Sequence, residues 1–281
     1  MTNDKSVGNP VLVLGGNGKT GRRMAERLRA TGRPVRIGSR TGDPPFDWKN
    51  PSTWGLALRG VDAAYVAFQP DLAVPGALET VRSFFTQAVG SGVKKLVLLS
   101  GRGEIEAEQA EEALQATGAD WTILRSSWFS QNFSEGAFLE PILAGESHCR
   151  RGPSRSPLSM STILPISGLR RWTETGHERQ LYDITGPRAL TFAEAIAEIA
   201  DAAGRDIRFG VVSPEDYRAE LARYGLRQED IDLVIYLMTT VLDGRNTPVA
   251  DGVERALGRK PRDFSDYVRR TAASGVWNAN P

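Results

Sequence analysis

Val11-Leu-Val-Leu-Gly15-Gly16-Asn17-Gly18-Lys19-Thr20-Gly21-Arg22-Arg23 is the stretch that decides the fold. Four apolar residues make a short strand. The glycines then fall both as Gly16-x-Gly18-x-x-Gly21 and as Gly15-x-x-Gly18-x-x-Gly21, just before a helical pattern begins. Glycine at such places allows a tight turn, close approach of a pyrophosphate to the backbone, and packing of the helix on the strand; free N–H groups at the helix start then face the anion. A glycine pattern alone is weak, but one set between a strand and a helix is a dinucleotide fingerprint. It is not a Walker loop, because four residues do not separate a glycine from a Gly-Lys-Ser/Thr. The candidate phosphate contacts are Gly15, Gly16, Asn17, Gly18, Lys19, Thr20, Gly21 and Arg22.

Working outward, short apolar runs alternate with helical patterns through the first half. The runs are Val11 to Leu14, Val35 to Gly38, Ala63 to Phe68, Val93 to Leu99 and Trp121 to Leu124. Helical patterns lie at Thr20 to Ala30, Gly76 to Val89 and Glu104 to Ala116. This alternation predicts an α/β fold, a doubly wound parallel sheet of Rossmann type whose strands are covered on both faces. Leu181 to Ile184 reads as a strand returning to the sheet. Thr191 and Glu194 form a capping box at the start of a helix over Phe192 to Ala203. A strand-like run at Ile207 to Val212 precedes helices at Pro214 to Tyr224, Gln228 to Leu242, Val249 to Leu257 and Phe264 to Ala273. The expected division is a dinucleotide-binding domain at 8–140 and a C-terminal part at 141–281, with a smaller, mostly helical substrate lobe at 188–281.

Composition narrows the function. The chain has 281 residues, with 35 Lys plus Arg against 34 Asp plus Glu. That near-zero balance argues against a nucleic-acid or anionic-membrane partner, which needs a concentrated basic surface. One cysteine forms no intramolecular disulfide, no run of about 18 apolar residues exists to span a bilayer, and the first ten residues lack an apolar signal core. A cytoplasmic protein is expected. No metal site is expected from His148, His177 and Cys149, and no Gly-x-Ser-x-Gly elbow marks a serine hydrolase.

The end of the second strand discriminates between cofactors. An acid there would bond the ribose 2′-OH of NAD, and an arginine would accommodate the 2′-phosphate of NADP. Here the strand ends Val35-Arg-Ile-Gly-Ser39-Arg40, with no acid before Asp43. NADP(H) is favoured over NAD(H), with Ser39 and Arg40 on the phosphate and Arg22 or Lys19 assisting; the other reading of Arg40 is a solvated loop charge.

The glycine turn, Phe46-Asp-Trp48, the strand end Leu98-Leu-Ser100-Gly101, and Trp121-Thr-Ile-Leu-Arg125-Ser-Ser-Trp128-Phe129-Ser-Gln-Asn132-Phe133 together resemble the NmrA-like group of atypical short-chain dehydrogenases. The resemblance is strongest to the branch holding the ergot-alkaloid dehydrogenases and bacterial relatives. It implies an NAD(P)-binding protein. Some members reduce quinones, dyes, imines or iminium ions, and others are redox-sensing regulators without turnover. Carried over by position, it implies that Phe68 and Gln69 line the cofactor, that Asp47 and Trp48 lie near the adenine, and that Ser100 and Gly101 lie at the crevice. Trp128, Phe129, Asn132 and Phe133 would face nicotinamide and substrate, in a dry pocket suited to hydride transfer; ordinary core packing is the alternative for that aromatic set.

A typical short-chain dehydrogenase carries Tyr-x-x-x-Lys on the helix after its fourth strand. Here that helix reads Glu104-Ile-Glu-Ala-Glu-Gln-Ala-Glu-Glu-Ala-Leu-Gln and has neither residue. The proton for any reduction must come from elsewhere or not be needed. Ser100 is a weak candidate donor, and the helix acids read as a solvated face.

One stretch stands apart. Ser147 to Trp172 holds five arginines and no acid, leaving 30 basic against 34 acidic residues elsewhere. It fits neither helix nor strand period. In the resembled family this stretch ends in a Pro-Phe-Val-Asp-Val-Asp-Asp-Ile-Ala-Asp type motif. Codons permitted for Ser156 to Ser167 give Pro-Phe-Val-Asp-Val-Asp-Asp-Ile-Ala-Asp-Ile in a shifted frame. Residues from about 147 to 172 are therefore expected to be read out of frame, with Thr173 resuming the ancestral frame; the other reading is a divergent basic loop. These arginines then carry no function.

The functional expectation is an NADP(H)-dependent oxidoreductase moving hydride between nicotinamide and a small quinone-, imine- or enone-like acceptor. The alternative is a non-catalytic NAD(P)-sensing regulator of NmrA type with a protein partner.

Overall fold

The computed structural model describes residues 8–149, 155–156 and 176–278. Its strands in chain order are β1 (Val11–Leu14), β2 (Val35–Gly38), β3 (Ala63–Val66), β4 (Lys95–Gly101), β5 (Asp120–Ser126), β6 (Glu146–Cys149), β7 (Arg155–Ser156), β8 (Gln180–Ile184), β9 (Leu190–Thr191) and β10 (Arg208–Val211). A parallel six-stranded sheet runs in the order β2-β1-β3-β4-β5-β8. Val11 sits opposite Val35 on one side and Ala63 on the other, and Ala63 opposite Lys95. Every residue of β1 and β3 is buried, as expected for strands covered on both faces. The chain leaves β1 for β2 in one direction and then places β3 on the opposite side. The switch point thus lies between β1 and β3, where open α/β sheets bind ligands at the carboxyl ends of their strands.

The chain divides into two compact units, the first comprising described residues 8–125, 176–182 and 255–257. It holds helices α1 (Lys19–Ala30), α2 (Trp54–Leu58), α3 (Ala77–Gly90) and α4 (Ile105–Gln115). Val81, Phe84, Phe85 and Ala88 line the inward face of α3, and Ala107, Ala110 and Leu114 that of α4; all join one core with the sheet residues. That spacing is the stripe of a helix lying on a sheet. Phe46, Trp48, Trp54 and Phe84 meet largely edge to face, which extends the core to the loop after β2.

The second unit holds α5 (Asn132–Glu135), α6 (Leu139–Leu143), α7 (Phe192–Ala203), α8 (Pro214–Arg223), α9 (Gln228–Tyr236), the first half of α10 (Gly252–Leu257) and α11 (Phe264–Ala273). The Thr191–Glu194 capping box forms, and Gly204 ends α7 in the left-handed region. Phe133, Phe138, Phe192 and Phe264 make a ring cluster. The indole of buried Trp277 donates to the Phe133 carbonyl, and the Arg205 guanidinium donates to the carbonyls of Ile142, Leu143 and Trp277.

Among the elements that differ from the sequence reading are β6, α9 and α10. Glu146–Cys149, in the stretch with no apparent period, is a strand paired in parallel with β10; its partner lies some 60 residues away, so no local pattern announces it. The helix expected over Gln228 to Leu242 changes at Leu237–Val241 to a wider π-turn. The helix expected from Val249 begins at Gly252, because the Thr185 hydroxyl donates to the Ala250 carbonyl and accepts from its N–H, holding that residue outside the helix. Apart from 147–149 and 155–156, the segment read as frame-shifted lies outside the described residues. Among the described residues no helix is long and apolar enough to cross a membrane, and no group of three or more His, Cys, Asp or Glu is placed to hold a metal.

Candidate dinucleotide site

The glycine turn joins β1 to α1, and each glycine has a separate steric reason. Gly15 has φ +66°, a conformation that favours glycine. A Cβ at Gly16 would stand 2.8 Å from the Ile37 side chain on β2, and one at Gly21 only 2.3 Å from the Gly15 carbonyl oxygen. Gly21 therefore lets α1 lie against the turn. Gly18 is the N-cap of α1; its N–H donates to the Gly15 carbonyl at 2.8 Å, and it supplies no side chain to cap the helix. The first turn of α1 carries no acid. The backbone N–H groups of the helix start and its positive dipole end thus suit an anion, with no acid in that turn to oppose it. Asn17 and Arg22 are exposed, Lys19 half-buried and Thr20 buried.

The loop after β3 meets this turn. A Cβ at Gly18 would lie 3.1 Å from Gln69 Nε2, and one at Gly15 3.2 Å from the Ala67 carbonyl oxygen. Glycine leaves between turn and amide the space that a bound phosphate backbone needs. Phe68 packs on Trp48 with ring centroids 4.9 Å apart. The loop of Trp48 is fixed from below: Trp54 Nε1 donates to the Asp47 carbonyl, and the Asp47 side chain accepts from the Lys49 N–H. The structure therefore gathers the predicted residues Gly15 to Arg22, Ser39, Arg40, Asp47, Trp48, Phe68 and Gln69 around the carboxyl ends of β1, β2 and β3.

At the end of β2, the Ser39 carbonyl accepts from Gly42 and Phe46, closing the following loop. Arg36 is committed elsewhere, donating to the carbonyls of Ala57 and Arg59. Arg40 is exposed and has no hydrogen bond or ion pair among the described residues.

The end of β4 departs from the solvated helix face expected of its neighbour. Two acids are buried. Glu111 falls on the inward stripe of α4 between Ala107 and Leu114, accepts from the Ser100 hydroxyl, and forms a two-pronged pair with Arg125 on β5, with Nε at 2.9 Å. The hydroxyl of Ser100 is therefore turned to Glu111. Glu104 is the N-cap residue of α4, with its carboxyl against Gly101 and near Asp71 of the loop after β3. Burial, reinforced by the Asp71 charge, pushes Glu104 up to about 9, and burial also raises Asp71. Asp71, Glu104, Glu111 and Arg125 were not singled out in the sequence. The stripe position of Glu111 was the one readable sign.

In the second unit, Trp128, Phe129 and Asn132 are half-buried, while Phe133 is fully buried and stacks on Phe138 with centroids 5.2 Å apart. Trp128 meets Phe192 edge to face at 5.6 Å.

No protein-family profile matches the chain. Among curated proteins it is 27% identical to prestalk A differentiation protein A of Dictyostelium discoideum, covering 100% of this chain and 99% of that one. It is 25% identical to an NAD(P)H azoreductase of Xenophilus azovorans (94% and 98%) and 25% identical to agroclavine dehydrogenase of Claviceps fusiformis (92% and 96%). The chain is a homologue of named oxidoreductases, these two among them. Solved structures share the fold. Triphenylmethane reductase of Citrobacter sp. aligns with TM-score 0.75 at 17% identity over 94% of this chain and 99% of that one. An NADPH-dependent quinone oxidoreductase of Escherichia coli, complexed with NADPH, aligns with TM-score 0.75 at 19% identity over 92% and 99%. NmrA, a negative transcriptional regulator in complex with NAD, aligns with TM-score 0.69 at 13% identity over 96% and 98%. The chain's glycine turn, helix start and Gln69 amide have donor chemistry that fits a dinucleotide.

Proposed function

We propose that this chain is an NADP(H)-dependent oxidoreductase acting on a small quinone-, imine- or enone-like acceptor. The observation that carries it is the glycine turn beside an exposed Arg40 that has no partner among the described residues, at the end of β2, where the sequence has no acid before Asp43. Bound there, the dinucleotide supplies hydride. Gly15 to Gly21 hold its pyrophosphate, Ser39 and Arg40 the 2′-phosphate with Arg22 or Lys19 assisting, and Asp47, Trp48, Phe68 and Gln69 the remainder. Ser100 holds Glu111 and thereby the end of β4. Trp128, Phe129 and Asn132 are assigned to the acceptor and Phe133 to packing around them, with the helical chain from 188 onward as the substrate lobe.

A regulator that senses the dinucleotide is the second reading, favoured by the missing Tyr-x-x-x-Lys on α4. The test is NADPH and NADH binding followed by fluorescence, with turnover measured against quinone, azo, imine and dye acceptors. NADPH-preferring binding with turnover is expected. Binding with no turnover on any acceptor would favour the regulator, and equal affinity for both dinucleotides would remove Arg40 from the site.

A further inference from the structure

The reading as a reductase leaves its proton unassigned, since Ser100 is turned to Glu111 and α4 carries no tyrosine. The end of β4 holds another acid. A Cβ built at Gly101 would stand 2.1 Å from Glu104 Oε1 and 2.2 Å from Oε2. Strand side chains alternate between faces, so Ser100 turns to one face and the Glu104 carboxyl fills the space in which a side chain at 101 would stand on the other. This carboxyl thus packs beside a strand end, and the carboxyl ends of the strands are where open α/β sheets bind their ligands.

Glu104 is only 7% exposed, and its Oε2 has no donor among the described residues. Its neighbour Asp71 is a carboxyl too, held by the Ala73 N–H at 2.9 Å. A buried carboxyl beside the half-buried Asp71, with an oxygen that no donor among the described residues reaches, is satisfied when it carries a proton. The other charges acting on Glu104, Glu106 and Glu111 of α4, are also carboxylates and keep that proton in place.

We propose that Glu104, sharing a proton with Asp71, is the proton donor for reduction of neutral acceptors, an inference that rests on the oxidoreductase reading above. As hydride arrives at the acceptor, the O–H bond of Glu104 breaks, its proton goes to the acceptor oxygen or nitrogen, and the electron pair stays on the carboxylate. A proton from water restores the pair. Asp71 is the positioning residue that keeps Glu104 protonated at neutral pH.

Two kinds of acceptor separate this role from a structural one. A quinone or azo compound needs a hydride and a proton, whereas a cationic triarylmethane dye is neutralised by hydride alone. Glu104→Gln keeps the shape but has no acid, and should lower quinone turnover by about a hundredfold or more while changing dye turnover by less than about twofold. Asp71→Asn removes the neighbouring charge, so the pH above which quinone turnover falls should move down. In the protein without dinucleotide, a protonated-carboxyl infrared band at neutral pH should be present and be lost in Glu104→Gln. Absence of that band, or an equal effect of Glu104→Gln on both acceptors, overturns the proposal. Turnover of neither acceptor by the unaltered chain overturns the oxidoreductase reading, and the proton-donor role falls with it. If Glu104→Gln does not fold, Asp71→Asn carries the test: an unmoved pH profile overturns the proposal.

Discussion

A side chain at Gly18 and one at Gly21 would meet different things, and so should have different effects. At Gly18 a Cβ would meet the flexible end of Gln69 at 3.1 Å and the Gly15 carbonyl oxygen at 3.2 Å, neither under 3.0 Å, so Gly18→Ala should fold, with Tm within about 4 °C of the parent, yet lose both dinucleotides by about tenfold or more. At Gly21 the obstacle is backbone, and Gly21→Ala should cost about 3 kcal/mol in urea unfolding. Retained affinity in the first variant would sink the phosphate-turn assignment. Arg40→Asp should weaken NADPH binding by about tenfold to a hundredfold, the worth of a charge-assisted hydrogen bond, and leave NADH binding nearly unchanged. These glycines and Arg40 were legible because their chemistry is local. Glu104 and Asp71 were not: they are 33 positions apart, and only the adjacency of β3 and β4 brings them together.

Elements were readable to the extent that their stabilisation is local. The cap of α7 is wholly contained in Thr191 to Glu194, and the sequence shows it. Thr191→Ala should cost about 1 kcal/mol by denaturant unfolding, while Thr191→Ser should restore most of the loss. The apolar runs of β1 and β3 were plain for a similar reason, since strands buried on both faces carry no polar interruptions. β6 has no such signature, because its register is set by β10. The end of α9 and the late start of α10 escaped notice because they depend on a changed hydrogen-bond ladder and on a threonine far away in the chain.

Across the whole molecule, two groups set opposite responses to pH. Glu104 keeps its proton in the fold up to about 9, whereas the unfolded chain loses it near the ordinary value of about 4.3. Between those values the unfolded state binds fewer protons, so this group makes stability fall as pH rises. Asp263, held below its ordinary range chiefly by the Arg188 hydrogen bond, does the reverse and loses its contribution as pH falls into the acid range. Urea midpoints measured across pH 5 to about 9 should therefore decline toward the alkaline end, and Glu104→Gln should flatten that decline. Intact mass together with resequencing of the gene tests the reading frame of 147–172: an unshifted coding sequence with no near-match in the other frame removes that expectation.

The place of β8 in the sheet gives this last point a practical edge. β5 has a hydrogen-bonding partner on its outer side only because the chain resumes at 180–184, beyond the anomalous stretch. A message that terminated early, or a protease that released everything after 149, would leave the seven-residue strand β5 with a bare row of N–H and C=O groups. Such a fragment would recruit other strands and precipitate rather than persist as a free-standing nucleotide-binding module.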